Sequence, residues 1–483
     1  MKIKNMLIAK NAGILFITDI ASKAMKIGLT IIIARKLGVA ELGVLGTALA
    51  FAELFSFIPN FGFKNFINRE VARYPEKSGV YFSNIFLIKL VLSIFTLSAI
   101  IIVSLFIPFQ SENILLYSVA AIVMLAESFI QFYTAFFRGA QKAEYEALIL
   151  TTEGLLVAGS GIIVIWLGYG ILNMLLIRFL VTLIVIVGGS HILKNKILKS
   201  PFTISYTRSV ELLRSSVPFT ILAILVIINS QSGVVLLSYL KGPVATGLYL
   251  AAFKLCGIFQ FIPASVAGAI LPAMTQFAKE NQIQNLTKTF SKAIKYLLIF
   301  VLPIAAAVSI LADKIIILLY NQDYVDSIFT LRVLIWVIVL SFSNTIFNVA
   351  FLSINREKRF VQVQVVGTIL FLTTCLVLIP LIGHNGLAIA AVSTQFIVFI
   401  VSAFLIKRYI TNFKLASIGF RPILAAIIMM SIIFLISSMN FYLILVIAVL
   451  IYFISLLGLK SFDADEIALF KTGINRLRLV FRK

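Results

Sequence analysis

Cysteine, histidine and tryptophan each occur only twice in 483 residues, and acidic residues number 19 against 41 basic ones. Cys256 and Cys375 lie far apart in apolar stretches, so neither a disulfide framework nor a thiolate metal site organises the chain. His191 and His384 sit at the boundaries of apolar segments without partners that suggest a metal site. A Walker loop, a GxGxxG turn after a strand, an HExxH pair and a CxxC pair are all missing. No enzyme activity, direct ATP coupling, metal or cofactor is therefore expected. Charge is scarce as well: 12% of residues are charged while 61% are hydrophobic, which excludes an ordinary soluble globule. Strict alternation of apolar and polar residues is also absent, and the apolar runs exceed the length of barrel strands. The chain reads as an all-α polytopic membrane protein.

About fourteen apolar segments between residues 11 and 459 are long enough to span a bilayer, which takes about 20 residues each. Only Arg35, Lys36, Lys241 and Lys314 fall in the odd-numbered connections between them. Six further cations sit inside spans, and nearly all the rest occupy the N-terminus, the even-numbered connections or the C-terminal tail. This asymmetry places both termini in the cytoplasm of a multi-pass inner-membrane protein. The net charge of +22 is then explained by basic loops facing anionic membrane lipids, and no nucleic acid is implied. The first span contains Asp19, Lys23 and Lys26 and has no small-residue cleavage site, so it reads as a retained helix.

The sequence repeats. A shift of 204 residues lays Gly38, Gly43 and Ala48 on Gly242, Gly247 and Ala252, and Phe55-x-Phe57-Ile58-Pro59 on Phe259-x-Phe261-Ile262-Pro263. Six spans separate the copies, an even number, so they share one orientation: a parallel repeat about an axis along the membrane normal. Two six-helix lobes follow, residues 1–204 and 205–410, with two additional helices and a basic tail in 411–483. Such a plan suits a carrier that rocks one lobe against the other. Pro59 and Pro263 occupy matching depths and read either as paired hinges or as ordinary tolerance of proline in membrane helices.

A charge at bilayer depth costs roughly 2.5–3.5 kcal/mol on insertion scales, so embedded ions are expected to face a wet cavity or each other. Asp19, Lys23 and Lys26 share one helix face, and Glu53, Glu127, Glu153, Arg178 and Lys254 lie in later spans. The cations Lys23, Lys26, Arg178 and Lys254 come from both lobes, which suits an anionic ligand. The carboxylates Asp19, Glu53, Glu127 and Glu153 are candidates for a coupling H⁺ or Na⁺. An alternative for the first span is an internal Asp–Lys pair with the second lysine held by Glu53. Lys89 and Arg332, near span ends, are expected to snorkel to the interface. Glu127, Gln131, Thr134 and Arg138 form a polar stripe on the fourth span, and Asn344, Asn348 and Asn355 form its counterpart on the tenth. The stripes read as walls of one cavity or as helix–helix contacts.

Several segments carry a family resemblance. Ala34-Arg-Lys-Leu-Gly-Val-Ala-Glu-Leu-Gly43, Ser238-Tyr-Leu-Lys-Gly-Pro-Val-Ala-Thr-Gly-Leu-Tyr249, Leu319-Tyr-Asn-Gln-Asp-Tyr324 and Gly383-His-Asn-Gly386-Leu-Ala-Ile-Ala resemble, in order and spacing, the polysaccharide flippases of the Wzx type. These belong to the multidrug/oligosaccharidyl-lipid/polysaccharide exporter superfamily. The resemblance implies a flippase moving an undecaprenyl-diphosphate-linked oligosaccharide to the outer leaflet for surface polysaccharide biosynthesis. A polymerase and glycosyltransferases would be its pathway partners. It departs from the family at Ser232-Gly233, where members often carry an Asp, so a role for that acid is not carried over. The two additional spans also occur in lipid II flippases, where they form a groove for the lipid tail. The runner-up is a cation exporter of the multidrug and toxin extrusion family, which would favour an acidic or aromatic cavity over lysines.

Overall fold

The computed structural model describes residues 2–106, 114–198, 203–259, 261–410, 415–436 and 439–462. The side chain of Asp19 lies outside the described set. Every regular element among the described residues is helical. The elements are α1 (Lys2–Leu54), α2 (Phe57–Asn60), α3 (Phe63–Arg73), α4 (Ser78–Phe106), α5 (Ile114–Gly139), α6 (Ala143–Trp166), α7 (Ile171–Lys196) and α8 (Tyr206–Gly257). They continue with α9 (Phe261–Lys279), α10 (Ile283–Ile310), α11 (Ala312–Tyr320), α12 (Ser327–Ser353), α13 (Glu357–Ile406), α14 (Leu415–Leu435) and α15 (Phe441–Gly458). Helix is the outcome because a spanning segment must satisfy its own backbone hydrogen bonds. Eleven described helices are long and apolar enough to cross a membrane. Three of these, in α1, α8 and α13, contain a break at Gly38, Gly242 and Ile382–Gly383. Counted through the breaks the spans number eleven; divided at them, each of the three yields two.

The chain forms two compact units, residues 1–261, 319–330 and 361–394 in one, and 262–318, 331–360 and 395–483 in the other. In the first unit the repeat is visible as backbone geometry. Gly38 has φ 89° and ψ 179°, and its repeat equivalent Gly242 has φ 81° and ψ −178°. Positive φ in an extended form is glycine territory, so both copies bend at the same residue for the same reason. Beyond each bend, α1 and α8 cross at contact distance. A Cβ on Gly43 would lie 1.9 Å from the Pro243 carbonyl oxygen, and one on Gly247 would lie 2.0 Å from that of Val39. Pro243 is the repeat equivalent of Val39, so the contact is reciprocal, as a pseudo-twofold axis between the helices demands.

Residues 319–330 strap across this crossing. The buried Tyr320 hydroxyl donates to Ala251 O (3.1 Å), Tyr324 to Ala34 O (3.2 Å) and Ser327 to Leu248 O (2.8 Å). Arg35 Nε donates to Leu319 O (2.7 Å). A buried hydroxyl without a partner costs about 1–3 kcal/mol, so these bonds fix the path of the strap. An aromatic core fills the space around α3, α4 and α5, centred on Phe63, Phe66, Phe132, Phe136 and Phe137. At Gly233 a Cβ would meet Leu387 Cδ1 at 2.5 Å, so the position packs against an apolar side chain that a larger residue would have to displace.

In the second unit α10 packs on α14, and α14 on α15. Phe347 joins Phe290 and Phe399, each at a ring separation of 5.6 Å. Lys314 Nζ donates to Met439 O (2.9 Å), tying the start of α11 to the connection before α15.

One expectation fails. Lys89 does not snorkel: it is 1% exposed, deep in α4, with its ammonium on Pro59 O (3.1 Å) and Asn60 Oδ1 (2.9 Å). The second span is broken there, between Leu54 and Phe63, which frees a carbonyl for a donor. Arg332 is exposed.

The reciprocal glycine contact makes a prediction. Gly43→Ala or Gly247→Ala forces the crossing apart and should cost about 1–3 kcal/mol, as overpacking does. The thermal midpoint of purified protein should fall by several degrees for each, and an unchanged midpoint would show that α1 and α8 do not approach this closely.

A membrane-embedded charge cluster

Six embedded ions of the first unit meet in one place. Lys26 and Glu53 come from the two arms of α1, Glu127 from α5, Glu153 from α6, Arg178 from α7 and Lys254 from α8. The Gly38 bend folds α1 back, so residues 27 positions apart in one helix join a common group. Lys26 Nζ lies 3.4 Å from Glu153 Oε1, and Arg178 Nη2 lies 2.7 Å from Glu127 Oε1. Arg178 also donates through Nε to that oxygen (2.7 Å). The Glu53 carboxylate accepts the Ser56 hydroxyl (3.4 Å) and interacts electrostatically with Glu127, Arg178 and Lys254. Lys254 interacts with Arg178, Lys26 and Glu53.

The six charges cancel in number but not in pairing. Two cations and two carboxylates close on each other. Lys254 has no ion pair among the described residues, and it is exposed to open space while surrounded by charge. A compact ammonium so placed is a ready site for an anion. Glu153 is nearly buried, its side chain 5% exposed, whereas its partner Lys26 is 45% exposed.

The other sequence candidates lie elsewhere. Lys23 is half-buried one turn before Lys26. Gln131 is exposed one turn beyond Glu127, on the cluster's helix. Arg138 ends α5 about 16 Å further along at 1.5 Å per residue, and its guanidinium is held by the buried Glu146 across the turn into α6. It braces that turn and does not reach the cluster. In the second unit Asn344 is buried and donates to Gln395 O (3.2 Å) and Oε1 (2.8 Å), a helix–helix contact, whereas Asn348 is exposed on the same helix. Pro59 and Pro263 are both buried just past a break, after Leu54 in one copy and after Gly257 in the other. Sequence reasoning missed Ser56, Asn60 and Gln395. Lys89, 11 residues inside α4, lies deeper than a span end.

The chain belongs to the polysaccharide biosynthesis protein family, whose model matches residues 8–278. It is 20% identical over 408 residues, 84% of each chain, to a Haloferax volcanii protein named Probable low-salt glycan biosynthesis flippase Agl15. The fold is similar to that of the lipid II flippase MurJ in an inward closed conformation, with TM-score 0.73, 15% identity, and 92% of this chain and 98% of that one covered. An inward-facing multidrug resistance MATE family transporter of the MOP superfamily also matches, with TM-score 0.67, 16% identity, and 81% and 95% covered.

Burial on the two polar stripes differs residue by residue, and labelling should follow it. In a background lacking Cys256 and Cys375, cysteines at Gln131 and Asn348 should react with a small polar thiol reagent, and one at Asn344 should not. Equal labelling at Asn344 and Asn348 would mean that the contact with Gln395 opens to water.

Proposed function

We propose that the protein is a flippase that moves a polyprenyl-diphosphate-linked oligosaccharide across the cytoplasmic membrane by alternating access. The observation that carries this reading is Lys254, an ammonium without an ion pair among the described residues, in a cluster whose other two cations are each held by a carboxylate. A diphosphate is a compact anion that must shed water to cross, and a lysine surrounded by fixed charges replaces that hydration. Lys26, 45% exposed and close enough to Lys254 to interact with it electrostatically, adds a second donor once Glu153 shares it, and Lys23 and Arg178 extend the basic wall. The glycan would meet the polar group at Gln131, while the polyprenyl tail stays in lipid.

Membership of a polysaccharide biosynthesis family and the flippase named among its relatives support this substrate class. A cation exporter would gain nothing from an ammonium without an ion pair at its site, and here Lys254 stands beside Glu53 in that state. The basic even-numbered connections support cytoplasmic termini and, with them, an outer-side location for the α1–α8 crossing. Lobes at 1–204 and 205–410, with hinges at Pro59 and Pro263, would rock about the repeat axis. Within the cluster, Glu53 is the carboxylate best placed to take H⁺ or Na⁺, because Glu127 and Glu153 are engaged by cations.

Lys254→Ala should lower affinity for the diphosphate by about 10–100-fold, the value of about 1.5–3 kcal/mol for a hydrogen bond to a charged group. In cells lacking the chromosomal copy, the variant should reach the membrane normally and fail to restore surface glycan. Full restoration would remove Lys254 from the site. Glu53→Gln should still bind substrate but transport it at one rate whether or not an H⁺ or Na⁺ gradient is imposed. Gradient-dependent transport by Glu53→Gln would assign coupling to another carboxylate.

A further inference from the structure

Lys89 is a cation at membrane depth that the charge cluster does not use. Its ammonium donates to Pro59 O (3.1 Å) and Asn60 Oδ1 (2.9 Å) and lies 5.1 Å from the centre of the Phe129 ring. No carboxylate pairs with it among the described residues. A buried methionine would fill the same volume without the cost of desolvating an ammonium, so the charge has a purpose that packing does not supply.

Its partners supply the purpose. Between α1 and α3 the chain makes the one-turn helix α2 and then two consecutive left-handed residues, Phe61 (φ 33°, ψ 40°) and Gly62 (φ 66°, ψ 5°). A phenylalanine with positive φ is strained and persists only where the surroundings hold it. Were the span to run on as a continuous helix, Pro59 O would accept the N–H of Phe63, four residues on, and Phe61 would relax to right-handed values. In the broken form that carbonyl has lost its helical donor and takes the Lys89 ammonium instead. Lys89 therefore competes with the helix for one acceptor. Glu53 and Ser56, which hydrogen-bond to each other at 3.4 Å, sit at the start of this break.

We infer that Lys89 is a positioning residue for transport: it holds the second span broken at Pro59 and so fixes Glu53 beside Lys254. Straightening the span requires Lys89 to release Pro59 O and turns Glu53 out of its present place. The part concerning transport rests on the proposed role of the cluster; the part concerning the break does not.

Amide hydrogen exchange over residues 55–66 of the purified full-length protein separates this role from simple stabilisation. Lys89→Met hands Pro59 O back to the helix, so exchange in this peptide should slow by at least about tenfold, the loss of one hydrogen bond to a charged group. A lesion that merely loosened the fold would speed it. Asn60→Ala removes only the second acceptor, leaves the buried lysine in place, and should slow exchange by a smaller factor in the same direction. Both variants should lose most glycan export while present in the membrane, and Lys254→Ala should lose export without altering exchange at the break. Unchanged or faster exchange in Asn60→Ala and Lys89→Met overturns the inference. Normal export by Lys254→Ala would instead overturn the reading of the cluster and leave the role of Lys89 at the break intact.

Discussion

Hydrocarbon offers no hydrogen bonds, so each break in a spanning helix and each charge within one must be answered from inside the protein. The structure is organised by those answers. The bend at Gly38 turns α1 back on itself, and Tyr324 donates to the Ala34 carbonyl one turn before it. The break after Leu54 frees the Pro59 carbonyl, and Lys89 takes it. Glu127 is answered by Arg178 and Glu153 by Lys26. The places where this accounting stays open are the places where function belongs, and the clearest of them is Lys254.

The parallel repeat supplies the frame and then departs from its own symmetry. The bends at Gly38 and Gly242 and the mutual approach of Gly43 and Gly247 are nearly identical in the two copies. The ions are not: Lys254 falls on Ala50 under the same shift of 204, and the three carboxylates of the cluster all precede residue 204. A symmetric scaffold that bends in two equivalent places and meets itself at one crossing thus carries an asymmetric set of charges, and the proposed anionic head would meet that set at Lys254.

The fold was largely legible in the sequence because apolar length, loop charge and the glycine repeat each report on a constraint the bilayer imposes. The convergence of Lys26, Glu53, Glu127, Glu153, Arg178 and Lys254 was also legible, since embedded ions have few places to go. What could not be read was pairing. Nothing in the spacing of Arg138 says that Glu146, eight residues on, will hold it at a turn, or that Asn344 will spend its amide on Gln395. Lys89 was misjudged because its depth depends on where α4 begins, and Ser78 starts the helix early enough to carry residue 89 well inside. The break it secures was signalled only by Pro59, which many membrane helices tolerate without breaking.

The central claim is that this fold moves a lipid-linked diphosphate glycan between leaflets. Purified protein in liposomes carrying such a lipid, with an H⁺ or Na⁺ gradient imposed, tests it directly. The readout is accessibility of the glycan to a membrane-impermeant cleaving enzyme added outside. The inner-leaflet pool should become cleavable with wild-type protein and stay protected with Lys254→Ala. Protection of that pool with wild-type protein, at the level of protein-free liposomes, would contradict it.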